Sequence, residues 1–200
     1  QINTGHANLG ESEFTRPFLD APHQVLTIKL SVVLLHDPIV KTLHWRSEAE
    51  TEAFTHALAR QPALRQAFIT LDGNLGAGKT TLVRHLLRAL GVVGRIKSPT
   101  YAVVEPYALA CCDAWHFDFY RFNDPREWED AGFRDIFASP GLKLAEWPEK
   151  AAAVLPVADL CIHLQADADA TRHVQLTAHT PTGLALLNGI EAATPPGAPE

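Results

Sequence analysis

Methionine is missing from this sequence altogether, position 1 included. That absence predicts a fragment, or a translated reading frame whose true start lies elsewhere. Cysteine is scarce: Cys111, Cys112 and Cys161 form neither a C-x-x-C pair nor a zinc-ligand spacing. An odd count that includes an adjacent pair excludes a disulfide framework and implies reduced thiols in a cytosol, buried or incidental rather than redox-active. No apolar run is long enough to cross a bilayer. The most apolar early stretch, residues 25–35, is interrupted by Lys29 and lacks a signal-peptide cleavage pattern. A soluble cytoplasmic protein without membrane contact is expected. Positive charge is also short, with 17 Lys and Arg against 23 Asp and Glu and a formal net charge of −6. This balance argues against an extended basic surface that grips nucleic acid unaided, so any such role is expected to run through a partner.

What remains is a chain of 200 residues, enough for one domain with a real core. Residues 1–40 have mixed composition and poor periodicity and are predicted to form an extension outside the functional domain. Residues 41–190 are expected to form that domain, and the Pro-rich residues 191–200 a disordered tail. There is no internal repeat. Ser47-Glu48-Ala49-Glu50 reads as a capping box, followed by Ala53, Phe54, Ala57 and Leu58 at helical spacing. Residues 67–71 are β-prone. After a glycine-rich turn, residues 79–90 carry Leu82, Leu86, Leu87 and Leu90 on one face, and Gly91 is placed to end that helix. Further strands are predicted at Val103-Val104, at residues 115–119 and at residues 142–145. Asp124-Pro125 reads as a helix start, and Gly132 as its break. Residues 159–165 and 173–178 read as two late strands, antiparallel to each other. The mix predicts a three-layer α/β domain around a mostly parallel central sheet with late antiparallel strands.

Gly73-Asn74-Leu75-Gly76-Ala77-Gly78-Lys79-Thr80 fits G-x-x-x-x-G-K-[ST] without a mismatch. Its context is the one the chemistry requires, a strand before it and an amphipathic helix after it. Glycines let the backbone curl so that consecutive amides, those of Gly73, Gly76, Ala77 and Gly78 included, point at one anion, and the helix N-terminus adds positive potential. Lys79 is expected to bridge the β- and γ-phosphates, the Thr80 hydroxyl to ligate Mg²⁺, and Thr81 to contact the α-phosphate. The competing reading is a strand-to-helix turn that binds nothing. No N-K-x-D guanine-reading sequence occurs, which makes adenine the expected base and ATP the expected nucleotide.

Magnesium also needs carboxylate or water ligands. Two acids stand at the ends of predicted strands: Asp118, within Trp115-His116-Phe117-Asp118-Phe119-Tyr120, and Glu146, which closes Leu142-Lys143-Leu144-Ala145-Glu146. The second has the form of a Walker-B strand, an apolar run that delivers an acid to the edge of the sheet where ligands bind. Either acid could instead be a solvated strand-end charge. His116 is expected to be packed or hydrogen-bonded, and Trp147 to be a core or interface anchor as readily as a base-stacking group.

The ordered set of phrases resembles the TsaE family, formerly called YjeE. They are the glycine loop with Thr81, Lys97-Ser98-Pro99-Thr100-Tyr101, Val104-Glu105-Pro106-Tyr107, His116-Phe117-Asp118-Phe119-Tyr120-Arg121, Asp124-Pro125 and Glu146-Trp147-Pro148-Glu149. The resemblance covers residues 43–178. It implies the ATPase component of bacterial tRNA threonylcarbamoyladenosine synthesis, weak alone and working with TsaD, the transferase, and its companion TsaB. The tRNA would be held mainly through those partners. Carried onto this sequence, the resemblance makes Lys79 the phosphate lysine and sets Thr80 and Glu146 on magnesium. Asp118 becomes a second acid near the γ-phosphate, and Ser98-Pro99-Thr100 a loop that responds to nucleotide state. Position 74 departs from the family, with Asn where Asp is usual. Arg172 lies where the family's late strands approach the nucleotide and receives no role. Two other readings stand beside this one: a small-molecule P-loop kinase, for which no arginine-rich lid follows the glycine loop, and a nucleotide-sensing module in which hydrolysis is incidental.

Overall fold

Strand β2 (Phe68–Asp72) is buried along four of its five residues, and β5 (Leu142–Glu146) along all five. Strands covered on both faces read as continuous apolar runs, so these two belong at the centre of a sheet flanked by helices on either side. In the computed structural model, which describes residues 38–168 and 171–193, they lie side by side and parallel. The sheet has seven strands in the order β1-β7-β6-β2-β5-β4-β3. The other members are β1 (Ile39–Trp45), β3 (Val104–Ala108), β4 (Asp113–Asp118), β6 (Leu160–Ala166) and β7 (Arg172–Ala178). Strands β6, β2, β5 and β4 run parallel, while β1, β7 and β3 add antiparallel pairings toward the two edges. The two late strands pair as expected from the sequence, and β6 in addition joins the parallel core. Of the predicted extension, residues 1–40, the part up to residue 37 lies outside the described residues, while Ile39 and Val40 already belong to β1. Of the predicted tail, residues 191–200, the part from residue 194 lies outside them, while residues 191–193 end the last helix.

Helices α1 (Glu48–Ala59), α2 (Lys79–Ala89) and α5 (Pro181–Ala193) pack on one face of the sheet, where Phe54, Leu58, Leu82, Leu86, Leu87, Leu186 and Ile190 meet Ile69, Leu71, Leu144 and Ile162. The short helices α3 (Pro125–Asp130) and α4 (Phe133–Ala138) cover the other face with an aromatic cluster of Phe117, Phe119, Phe122, Trp128 and Phe133 against Phe68. The alternation along β2, with Phe68 in one cluster and Ile69 and Leu71 in the other, makes the three layers. Helix α2 is amphipathic as its leucine spacing predicts. Leu82, Leu86 and Leu87 are fully buried, each contributing roughly 1.5–3 kcal/mol relative to exposure. Leu90 caps the helix half-buried, and Gly91 follows it at φ +99°.

Helix α1 departs from its sequence reading in two ways. Ser47 occupies the N-cap position in extended conformation, but its side chain makes no capping bond. Glu50 instead accepts from the amide of Arg46 at 2.5 Å, one residue earlier than a capping box requires. The inner face is Thr51, Phe54, Thr55 and Leu58, with Ala53 exposed and Ala57 half-buried. A threonine can replace an alanine there because the Thr55 hydroxyl donates back to the Glu52 carbonyl at 2.8 Å and enters the core satisfied.

Val103 was expected to open a strand but lies just before β3 with φ +65°, in a turn where its amide donates to the Pro99 carbonyl at 2.6 Å. Asp124 caps α3 through the Arg126 amide at 2.9 Å, and Gly132 at φ +69° separates that helix from α4. All three cysteines are free. The Cys112 thiol is pushed up to about 11, chiefly by burial, and burial likewise raises Cys161, so neither is a ready nucleophile. Among the described residues, no helix is long and apolar enough to cross a membrane.

Candidate functional site

The C-terminal ends of β2, β5 and β4 are adjacent, and the carboxyl ends of parallel strands are where an open α/β sheet presents its ligands. The loop of residues 73–78 leaves β2 and enters α2. Gly73, Gly76 and Gly78 take φ values of +132°, +83° and +106°, a region costly for any residue with a Cβ. At Gly73 a Cβ would also collide with the Leu164 carbonyl, and at Gly78 it would lie 2.9 Å from Nε of Arg172. The loop is thus moulded against β6 and β7 as well as against its own strand.

Beside it opens a cavity of about 340 Å³, lined by Leu75, Gly76, Gly78, Lys79, Thr80, Thr81, Ser98, Thr100, Asp118, Tyr120, Glu146, Trp147 and Arg172. Most residues singled out in the sequence therefore share one space. Gly73 and Ala77 do not line it: Gly73 is tucked under Leu164, and Ala77 is buried beneath the loop. A larger cavity of about 660 Å³ lies between α3, α4 and residues 153–156, and none of the predicted site residues lines it.

Lys79 is the first residue of α2 and only 4% exposed. Its ammonium donates to the Gly73 carbonyl and to the Asn74 carbonyl, the latter at 3.0 Å, and lies 3.7 Å from the centre of the Trp147 ring. Burial lowers its pKa from the usual lysine value, and the nearby carboxylates Glu146, Glu149, Asp72 and Asp118 oppose that shift. Asn74, the departure noted in the sequence, takes part through its carbonyl, which also accepts from the Ala77 amide at 3.1 Å. Its side chain is not what holds Lys79.

Glu146 ends β5 and is 2% exposed. Its Oε2 accepts from the Thr80 hydroxyl at 2.8 Å, and its Oε1 lies 2.9 Å from Nε2 of His116, which is itself fully buried. Among the described residues, Nδ1 of His116 is buried without a hydrogen-bond partner. His116 is hydrogen-bonded, as expected, and its bond fixes the rotation of Glu146. Asp118 ends the neighbouring strand β4. Its Oδ2 accepts from the hydroxyls of Ser98 and of Thr100, the second at 2.7 Å, and its Oδ1 accepts from the Tyr120 amide at 3.0 Å. The Asp118 amide donates to the Val103 carbonyl at 2.9 Å. The loop of residues 98–103 is accordingly tied to the end of β4 from both ends.

Two further residues complete the cavity. Trp147 takes φ 58° and ψ 49°, a left-handed conformation uncommon for a bulky side chain, and this turns its ring under Lys79 and within 5.0 Å of Tyr120. Arg172 opens β7, and its Nε donates to the Ala77 carbonyl at 3.0 Å. No local motif marks Arg172. Only the pairing of β7 with β6, and of β6 with β2, carries it to the glycine loop.

Chemically, this is a set of amides at a helix N-terminus, one buried lysine, and hydroxyl and carboxylate oxygens opposite it. Such a set suits an anion with several negative oxygens accompanied by a hard divalent cation.

Comparison with known proteins bears on the same residues. Residues 45–174 match the family described as threonylcarbamoyl adenosine biosynthesis protein TsaE. A tRNA threonylcarbamoyladenosine biosynthesis protein TsaE of Haemophilus influenzae is 42% identical over 130 residues, which are 65% of this chain and 82% of the relative. The protein of the same description from Bacillus subtilis is 34% identical over 145 residues, 70% of this chain and 87% of the relative. Among solved structures, that of Bacillus subtilis YdiB superposes with a TM-score of 0.63 at 25% identity, covering 78% of this chain and 97% of the other.

Proposed function

This chain belongs to the TsaE family of tRNA threonylcarbamoyladenosine biosynthesis proteins, and from that premise we propose that it binds Mg-ATP at the glycine loop and hydrolyses it in support of a tRNA-modifying complex. The observation that carries the reading is the convergence of Lys79, Thr80, Asp118 and Glu146, from α2, β4 and β5, on one cavity behind that loop.

Each residue then has a task set by its surroundings. The amides of Gly76, Gly78, Lys79 and Thr80 at the N-terminus of α2 hold the phosphates, whereas those of Gly73 and Ala77 already donate to Asp72 and to the Asn74 carbonyl. Lys79 exchanges its two loop carbonyls for phosphate oxygens, a gain for a buried ammonium that now meets only neutral acceptors at hydrogen-bond distance. Thr81 follows on the helix toward the α-phosphate. Thr80 and Glu146, already in contact, are the oxygens that would hold magnesium, with Asp118 as the second carboxylate. The fit is chemical: hydroxyl and carboxylate oxygens are what Mg²⁺ prefers. When bound, the metal supplies screening of phosphate charge. Asp118 holds the hydroxyls of Ser98 and Thr100, so loss or gain of a nearby phosphate is felt directly by the loop of residues 98–103.

The partners in this reading are TsaD- and TsaB-like proteins, with tRNA held mainly by them. A formal net charge of −6 supports that division of labour. The test is reconstitution with TsaB, TsaD, tRNA and threonylcarbamoyl-adenylate, with and without Mg-ATP, following modified adenosine over many turnovers. ATP-dependent multiple turnover that vanishes with Lys79→Ala is expected. Tight ATP binding with no effect on turnover would detach the tRNA role from the nucleotide site. Phosphoryl transfer to a small acceptor without partners would replace this reading by a kinase.

A further inference from the structure

Helices α1, α2 and α5 pack on one face of the sheet, while on the opposite face the side chains at the β1, β7 and β6 end are exposed. Every second residue there is exposed: Thr42 and His44 on β1, His173 and Gln175 on β7, His163 and Gln165 on β6. His44 and His173 stand directly opposite each other in the antiparallel register, which sets their Cβ atoms about 4.5–5.5 Å apart. Their ring centres lie 4.7 Å apart at 43°. A third group joins them from the end of β6. Oδ2 of Asp167 is 3.3 Å from Nε2 of His173, and the Asp167 amide donates to the Thr171 carbonyl at 2.9 Å, closing the β6–β7 turn beneath it. The Thr171 hydroxyl donates to the same carboxylate oxygen at 3.2 Å.

We propose that His44, His173 and Asp167 form a site for one divalent transition-metal ion of the Zn²⁺ class. The ligand atoms of the three residues already lie within 4.8 Å of one another. Ligands at about 2.0–2.2 Å from a shared tetrahedral ion need small rotations of side chains that are largely free to make them. Two imidazoles and a carboxylate, with solvent at the fourth position, are a combination that Zn²⁺, Ni²⁺ or Cu²⁺ accepts and Mg²⁺ does not favour. The carboxylate is oriented from behind by Thr171, the outer support that bound metals ordinarily have. The strand register supplies the imidazole pair, so the site is built on the rigid part of the fold. Its nitrogen ligands keep it distinct in ion preference from the oxygen set at Thr80 and Glu146.

The experiment is a Zn²⁺ titration by calorimetry on untagged full-length protein, in excess Mg²⁺, in a Cys111→Ser/Cys112→Ser background that removes the adjacent thiols. One ion per chain is expected, with affinity lowered about tenfold or more by His173→Ala and by His44→Ala. Equal stoichiometry and affinity in the His44→Ala/His173→Ala double variant would overturn the proposal. A second measurement leaves the ligands intact: Cu²⁺ at substoichiometric amounts should broaden the imidazole NMR signals of His44 and His173 first. Broadening that begins at other histidines would overturn it equally.

Discussion

The hydroxyl of Thr80 lies 2.8 Å from Oε2 of Glu146, although 66 residues separate them in the chain. The contact joins the first turn of α2 to the end of β5, and it brings together two oxygens that magnesium would need. Thr80→Ala should therefore weaken the magnesium dependence of nucleotide affinity while leaving the metal-free affinity nearly unchanged. Glu146→Gln keeps the shape and removes the charge, so ATP should still bind while hydrolysis within the complex falls by two orders of magnitude or more, on the order of 3 kcal/mol of barrier. Nucleotide titrations at several magnesium concentrations check the first, and single-turnover hydrolysis checks the second. Full hydrolysis by the Gln variant would remove Glu146 from the reaction and favour a sensing role.

Lys79→Ala removes a charge-assisted contact of roughly 1.5–3 kcal/mol, so triphosphate affinity should drop about 10- to 150-fold. Circular dichroism should be unaltered, because the carbonyls of Gly73 and Asn74 that Lys79 now occupies can turn to solvent at the loop surface. Unchanged affinity for ATP would contradict the phosphate-cradle assignment.

The same lysine predicts a pH dependence. Burial lowers its pKa in the free protein, and only the protonated form offers charge to phosphate. As pH rises through that lowered value, affinity for ATP should decline before an ordinary exposed lysine would begin to titrate. The sign for folding is opposite: the unfolded chain binds this proton more tightly, so the cost of burying charged Lys79 is present at neutral pH and relieved on the alkaline side. Calorimetric affinities from pH 7 upward measure the first effect. An affinity that holds flat until the usual lysine range would refute it.

Asp118 accepts three hydrogen bonds, two of them from the loop of residues 98–103. Asp118→Ala removes the carboxylate that both hydroxyls share, leaving them only each other at 2.7 Å, and amide hydrogen exchange across that loop should quicken by about tenfold or more, the equivalent of about 1.4 kcal/mol of lost protection. Exchange in α5, far along the sheet, should stay as it is. Uniform acceleration throughout the chain would instead mean global destabilisation.

Gly73→Ala tests the shape of the loop. With φ at +132° and the Leu164 carbonyl in the path of a Cβ, the substitution should cost about 2 kcal/mol or more. For a chain of this size that corresponds to a fall in melting temperature of roughly 4–8 °C. A melting temperature within a degree of the parent would show that the loop relaxes freely.

Much of this architecture is legible in the residues themselves. The leucine spacing of α2, the apolar run of β5 and the Asp124-Pro125 start of α3 each state a local preference that packing then confirms. What could not be read locally depends on partners distant in sequence. Strand β1 has an irregular alternation because, among the described residues, it pairs only with β7 and leaves Thr42 and His44 exposed. Helix α5 could have been found from Thr180-Pro181, since the Thr180 hydroxyl accepts from the Gly183 amide at 3.2 Å, but a nearly all-apolar segment so close to the end reads poorly as amphipathic. In the site, Glu146 and Asp118 announce themselves as acids closing apolar strands. Arg172 does not, because its approach to the glycine loop is set by strand order alone.

The last strand of the sheet has a consequence for the protein's behaviour in a crowded solution. Strand β3 forms one edge, is only five residues long, and carries Glu105 followed by Pro106. A proline offers no amide hydrogen, so a foreign strand laid along this edge would find a gap where it needs a donor and a carboxylate beside it. The terminus of the sheet that lies nearest Asp118 is thereby a poor template for β-addition, and copies of this chain can be concentrated without that edge recruiting one another.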